Sequence, residues 1–136
     1  MSNLEQTLSI IKPDAVERNL DKEIKNIFQN KGFTIIKEKK LQLEKSDAEK
    51  FYKVHETKPF YNDLCAYLSS GPIVVMILEK ENAITANREL MGATNPQEAK
   101  EGTIRKKYGI SIDKNSVHGS DSLENSKIEI NFFFKD

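Results

Sequence analysis

Asn115-Ser116-Val117-His118-Gly119-Ser120-Asp121 is the stretch from which the rest of the chain is read. An imidazole is largely neutral near pH 7 and can act as a nucleophile. Gly119 has no Cβ, so a bulky anion could approach the backbone beside His118 without meeting a side chain. Ser120 and Asp121 carry helix N-cap chemistry, and Asp121 with Glu124 fits a D-x-x-E variant of the capping box. A helix opening there would turn free N–H groups and a positive dipole end toward the same space. The seven residues therefore offer a nucleophile, room for a phosphate, and polar donors around it. A loop histidine beside an ordinary helix cap is the plainer reading that these residues alone leave open.

Composition narrows the classes. The 136 residues suffice for one domain, taken as residues 1–136, with a sizeable core. Twenty-one basic residues balance 21 acidic ones, so no global field recruits nucleic acid or an anionic membrane. Any anion binding must come from local placement. Cys65 is the only cysteine, which excludes an internal disulfide and fits a reducing compartment. With only His55 and His118 beside it, a structural zinc site of the Cys/His kind is not expected. Residues 1–6 have neither the basic nor the apolar portion of a secretory leader, and no apolar run reaches membrane-spanning length; the expected location is cytoplasmic. Only three of the basic residues are arginines, Arg18, Arg88 and Arg105. Where lysine supplies general solvation, an arginine answers a need for planar, bidentate recognition, which singles out Arg88 and Arg105.

Periodicity places these residues on elements. Thr7 to Lys12 reads as a mostly buried strand stopped by Pro13. Leu20, Ile24, Ile27 and Phe28 have helical spacing, and Gly32 is placed to end that helix. Phe33 to about Leu43 reads as a strand. Ser46-Asp-Ala-Glu49 forms a capping box for a helix carrying Phe51, Tyr52 and His55, broken at Lys58-Pro59-Phe60. Leu64, Tyr67 and Leu68 share a face of a second short helix that stops at Gly71-Pro72. Ile73 to Leu78 is continuously apolar, as in a central strand covered on both faces. Asn82 to Met91 reads as a helix ended by Gly92, and Ala93 to Asp113 as irregular, with a short helix over Ile104 to Tyr108. From Leu123 to Phe134 the apolar residues fit either period; the cap at Asp121 favours helix. Strands separated by helices would by themselves suggest a parallel sheet.

The stretch 115–121 resembles the N-x-x-H-G-S-D signature of the nucleoside diphosphate kinases, with every fixed position matched, and the likeness runs through nearly the whole chain. It implies a different fold: α+β, an α/β sandwich with a ferredoxin-like βαββαβ core, a four-stranded antiparallel sheet and helices over one face. It also implies an activity, transfer of the γ-phosphoryl of a nucleoside triphosphate to a nucleoside diphosphate through a phosphohistidine. His118 would be the nucleophile. Glu129 would hold the non-attacking nitrogen of its ring, and the Tyr52 hydroxyl would lie nearby. Lys12, in Lys12-Pro13-Asp14, matches the lysine that reaches ribose hydroxyls and the transferred phosphate. Phe60, in Lys58-Pro59-Phe60-Tyr61, would be the aromatic on which any base stacks, with Leu64 lining the same cleft. Arg88, Thr94 and Arg105 match the phosphate-binding residues, and Asn115 the residue that binds the ribose or bridges sugar and phosphate. His55 corresponds to a histidine that some members carry near the phosphates.

Mg²⁺ would arrive on the nucleotide phosphates, with no direct protein ligand. No G-x-x-x-x-G-K-[ST] loop is present, so a Walker-type phosphate cleft is excluded. The resemblance further implies a homo-oligomer, hexamer or tetramer. The chain ends soon after Phe134, short of the animal members, so contacts that their C-termini make between subunits would be missing. Three positions depart from the usual pattern: Ala15 and Asn19 where glycine is usual or common, and Lys58 where arginine is usual. Two other classes compete. Lys31-Gly-Phe-Thr-Ile-Ile36 faintly echoes the K-G-F-x-F-V pattern of a single-stranded RNA-binding module, although the later aromatic positions are Ile35 and Lys37. The other is an assembly or regulatory protein that keeps the fold without the activity.

Overall fold

The apolar run that begins at Ile73 is the strand β3 (Ile73–Glu81), buried at every position from Ile73 to Leu78. Val74, Met76 and Leu78 face one core cluster; Ile73 and Val75 face another. This alternation follows from the two-residue period of a strand and makes β3 the middle of a three-layer molecule. In the computed structural model, which describes residues 4–111 and 114–134, β1 (Leu4–Ile11) pairs along one side of β3 and β2 (Thr34–Leu41) along the other. A short strand, β4 (Val117–Gly119), pairs with the far side of β1. The order is β2-β3-β1-β4 and every pairing is antiparallel. This is the antiparallel α+β sheet that the resemblance implies, not the parallel one suggested by alternation of strands and helices. The reading of residues 1–6 as leader-free lies partly outside the described residues.

Seven α-helices are found among the described residues: α1 (Pro13–Glu17), α2 (Asp21–Asn30), α3 (Lys45–Phe51), α4 (Tyr61–Leu68), α5 (Ala83–Met91), α6 (Ile104–Tyr108) and α7 (Leu123–Phe133). Ile24 and Phe28 of α2, Met91 of α5 and Ile104 of α6 join the cluster of Val74, Met76 and Leu78. Ala48 of α3, Leu68 of α4 and Phe133 of α7 join that of Ile73 and Val75. Helices therefore cover both faces. The one-face expectation holds for α2 and α5 of the βαββαβ core, and the long insertion between β2 and β3, with α7, covers the other.

Local chemistry explains where boundaries moved. α3 starts at Lys45 because Glu44 caps it, in a reciprocal box with Asp47, and not Ser46 with Glu49. It ends at Phe51; His55 lies beyond it in a 3₁₀ turn (Lys53–His55). α1 follows β1 after the single residue Lys12, with Pro13 in the first turn where a missing N–H is harmless. Ser120 is drawn into the sheet, its N–H donating to the Leu8 carbonyl at 3.1 Å and its Oγ accepting from the Leu8 N–H at 3.2 Å. The chain is therefore still extended at Ser120, and α7 is capped two residues later by Ser122, whose Oγ accepts from the Asn125 N–H at 3.1 Å. The expected Asp121–Glu124 box does not form; Asp121 accepts from the Asn125 side chain at 2.6 Å. Asn19 has φ +60°, a left-handed conformation that asparagine tolerates better than most residues.

Gly119 does something other than open a path for an anion. A Cβ built on it would lie 2.2 Å from Asn87 Nδ2 and 2.8 Å from Met91 Cε, both on α5. The missing side chain lets α5 lie directly on β4. Those two atoms end flexible side chains, but both residues are buried, at 0% and 3% exposure, so neither has space to retreat. Gly119→Ala should therefore destabilise the fold by about 1–3 kcal/mol in chemical denaturation, as overpacking does. Asn87→Ala in the same chain should return part of the loss, and an unchanged midpoint for the single variant would show that the contact is loose.

Candidate active site

His118 is the middle residue of β4, paired with Ile10, and its side chain is partly exposed. Its Nε2 lies 3.3 Å from Glu129 Oε1 on α7, and the same carboxylate oxygen accepts a 2.8 Å hydrogen bond from Ser120 Oγ. One acceptor thus ties the imidazole to the serine two residues on. A carboxylate holding one ring nitrogen sets the tautomer and leaves Nδ1 as the nitrogen with a lone pair. On its other side the imidazole meets Phe51 edge-on, ring centroids 5.5 Å apart at 77°. Phe51 and Ser120 are site residues that sequence reading missed. Ser120 lay within the motif but was read as a helix cap, whereas nothing in the pattern of α3 separates Phe51 from a core residue.

The rings continue in file. Phe51 packs on Tyr52 at 5.0 Å, Tyr52 on His55 at 6.1 Å, and His55 on Phe60 at 5.9 Å. Tyr52 is buried, and burial, reinforced by the nearby Glu129 carboxylate, raises its hydroxyl pKa above the usual phenol range, so it stays protonated. Phe60 closes the file at the N-terminus of α4 and is 46% exposed, a large apolar ring presented to solvent. Leu64 is half-buried and packs against the second core cluster.

A second group gathers where β4 begins. Lys12, buried at the end of β1, donates from Nζ to Asn115 Oδ1 at 3.0 Å, and Asn115 Nδ2 donates to the Thr94 carbonyl at 3.1 Å. Beyond Thr94 opens a cleft of about 680 Å³, lined by Arg88, Thr94, Arg105, Lys100 and Thr103 among others. His118 is not in its wall. The connection is made by Arg105, whose Nη1 donates to the Gly92 carbonyl at 3.0 Å and Nη2 to the Val117 carbonyl at 2.9 Å. Gly92 ends α5 with φ +86°, and a Cβ there would meet Thr103 Oγ1 at 2.6 Å, so glycine is required twice over. Arg105 is thus partly a brace, not wholly the free phosphate ligand expected, and its Nε is buried with no hydrogen-bond partner among the described residues. Burial, with Arg88 nearby, lowers its guanidinium pKa to about 10, which still leaves it charged at neutral pH. Arg88 is exposed on the last turn of α5.

The arrangement can do one kind of chemistry well: present an oriented imidazole beside a cleft holding two guanidiniums, with a lysine and an asparagine between them. Among the described residues no group of three His, Cys, Asp or Glu side chains could hold a metal ion, and no helix is long and apolar enough to cross a membrane. The RNA-binding alternative loses its stacking ring, because Phe33 is buried against Phe28 at 5.5 Å.

Comparisons with known proteins agree with this geometry. Residues 5–136 match the sequence family described as nucleoside diphosphate kinase. The chain is similar to nucleoside diphosphate kinases of Nitratiruptor sp., 60% identical over 131 residues, and of Campylobacter fetus, 59% identical over 131 residues, each comparison covering 96% of both chains. Its structure is similar to the Aquifex aeolicus nucleoside diphosphate kinase, with a TM-score of 0.95 at 39% identity over 97% of this chain and 96% of that one. The apo enzyme from Encephalitozoon cuniculi gives 0.93 at 36% identity, over 97% and 90%.

The two arginines differ in what they hold, and substitution should separate them. A lysine at position 105 can reach one of the two carbonyls but not both. Arg105→Lys should lower stability by about 2 kcal/mol, the scale of a lost hydrogen bond to a charged group. Arg88→Lys should stay within about 0.5 kcal/mol of the parent, as exposed substitutions do. Equal unfolding midpoints for the two variants would remove the bracing role.

Proposed function

This chain belongs to the nucleoside diphosphate kinase family, and from that premise we propose how its side chains share the work. The reaction moves the γ-phosphoryl of a nucleoside triphosphate to an enzyme histidine and then to a nucleoside diphosphate, in two half-reactions at one site. We assign the phosphorylated residue to His118. The observation that carries this is the Nε2 contact with Glu129, which leaves Nδ1 to attack.

In the first half-reaction the Nδ1 lone pair forms the N–P bond while the bond to the leaving diphosphate oxygen breaks. The imidazole gains positive charge as its Nε2–H donates to Glu129, and the carboxylate, held by Ser120, balances that charge. Charge on the leaving diphosphate falls to Arg88, Arg105, Thr94 and Lys12, which align it without a glycine-rich loop. Asn115, fixed between Lys12 and the Thr94 carbonyl, takes the ribose or bridges sugar and phosphate. Phe60 offers the base a flat, exposed face, which every base can use. Tyr52, kept protonated, supplies a hydroxyl on the Glu129 side of the site. Mg²⁺ enters with the nucleotide on its phosphates, and no protein ligand is assigned to it. Residues 1–136 act as one domain in the cytoplasm and assemble as a homo-oligomer, a hexamer or a tetramer.

Incubation with γ-labelled triphosphate and no acceptor should label the protein in one-to-one ratio. The label should be acid-labile and alkali-stable, as a phosphoramidate is, and should pass to any added nucleoside diphosphate. His118→Ala should take no label. Phe60→Ala should reach the same labelling but need more of every nucleotide, by about 1–3 kcal/mol of lost stacking. Transferable label on the His118→Ala protein would falsify the assignment. Light scattering should give a mass several times 15.5 kDa, and a value near 15.5 kDa at micromolar concentration would exclude the assembly.

A further inference from the structure

Ser116 is one of three non-glycine residues with positive φ among the described residues, at +75°, and it stands between Asn115 and the strand that carries His118. The Val117 N–H donates to the Asn115 carbonyl at 2.9 Å, so residues 115–117 form a γ-turn around Ser116. A γ-turn with its central residue on the left-handed side is the rare and strained form, and a residue with a Cβ does not hold it unaided. Contacts from outside the turn must maintain it.

Those contacts converge on one carboxylate. Ser116 Oγ donates to Asp14 Oδ2 at 3.0 Å and accepts from Arg18 Nη2 at 3.3 Å. Arg18 in turn donates from Nη2 to Asp14 Oδ2 at 3.2 Å and to the Tyr108 carbonyl at 2.6 Å, and from Nε to the Asp14 carbonyl at 3.0 Å. The second carboxylate oxygen of Asp14 accepts from the Tyr67 hydroxyl, which also accepts from the Asp14 N–H at 2.8 Å. The Asp14 side chain is only 3% exposed. The Lys12 N–H closes the circuit on the Ser116 carbonyl at 2.8 Å. Neither Asp14 nor Ser116 has a part in the reaction described above, and Arg18 was passed over in the sequence.

We propose that Asp14, with Arg18, latches Ser116 in its left-handed turn and so sets where Asn115 and His118 stand. Asp14 and Ser116 are positioning residues. The turn reverses the chain between the ribose-side asparagine and the strand of the nucleophile, so relaxing φ at residue 116 re-aims one against the other. Asp14, on α1, holds the turn directly and through Arg18 just past that helix, and is itself held by Tyr67 of α4, all outside the sheet ladder.

Glycine separates this role from a purely structural one. Ser116→Ala loses both hydroxyl contacts but keeps the Cβ that disfavours φ +75°. Ser116→Gly loses the same contacts and adopts that φ freely. Turnover of Ser116→Ala should fall about tenfold, the scale of a small misplacement near a reacting group. Ser116→Gly should recover most of that loss. The amide-to-Hα coupling at residue 116 and the imidazole ¹⁵N shifts of His118 should move in the alanine variant and return toward the parent in the glycine variant. Asp14→Asn should behave like Ser116→Ala, and adding Ser116→Gly to it should restore turnover; if Asp14→Asn does not fold, the two Ser116 variants decide alone. Parent-like turnover and coupling in Ser116→Ala, or a glycine variant no better than alanine, would overturn the latch. The proposal rests on His118 as the phosphorylated residue. The NMR measurements read the turn whether or not His118 takes phosphate, so failure of the latch and failure of that assignment give different results.

Discussion

β4 is held to β1 by three residue pairs, Ser9 with Gly119, Ile10 with His118 and Ile11 with Val117, and the position of the His118 imidazole depends on them. An edge strand this short has little stability of its own. It is extended at one end by Ser120, which exchanges hydrogen bonds with the Leu8 backbone through both its N–H and its hydroxyl. At the other end the Lys12 N–H bonds the Ser116 carbonyl. Arg105 fastens the Val117 carbonyl from the side, and α5 presses on Gly119 from above. His118 therefore sits on sheet backbone and not on a loop, where its aim would be set far less closely.

The same strand divides the site into two regions of unlike character. Toward α7 and α3 the imidazole meets a carboxylate and a file of rings, an aromatic environment that orients it and leads out to Phe60. Toward α5 and α6 it meets lysine, asparagine and arginine around an open cleft. A nucleotide has a flat apolar end and an anionic end, and the two regions match them in kind.

Much of this was legible in the residues. The continuous run from Ile73 to Leu78 announced a strand covered on both faces, and the spacing in α2, α5 and α6 placed those helices within a residue or two. Strand direction was not legible, because periodicity says which face a residue takes and not which way its neighbour runs; the motif's resemblance supplied it. β4 was missed because three residues cannot display a period, and a glycine after a histidine reads as a loop. Ser120 misled for a physical reason. A serine can cap a helix or bond a neighbouring strand with the same hydroxyl, and only the fold brings Leu8 within reach. The histidine, its carboxylate and the cleft residues were each named through the resemblance, and only Arg88 and Arg105 were also singled out by composition. Arg105's hold on two backbone carbonyls was not, since a residue that recognises phosphate and one that braces a turn leave the same letter in the chain.

The burial of Arg105 has a consequence for how the cleft meets an anion. A guanidinium on the surface carries a hydration shell that must be stripped before it can touch phosphate. Arg105 lost most of its shell when the chain folded, and the lowered pKa is the mark of that loss. A phosphate brought to it would have only its own water to shed. The positive potential at that end of the cleft is fixed in place before any ligand enters, and because protein surrounds the charge, dissolved salt screens it weakly.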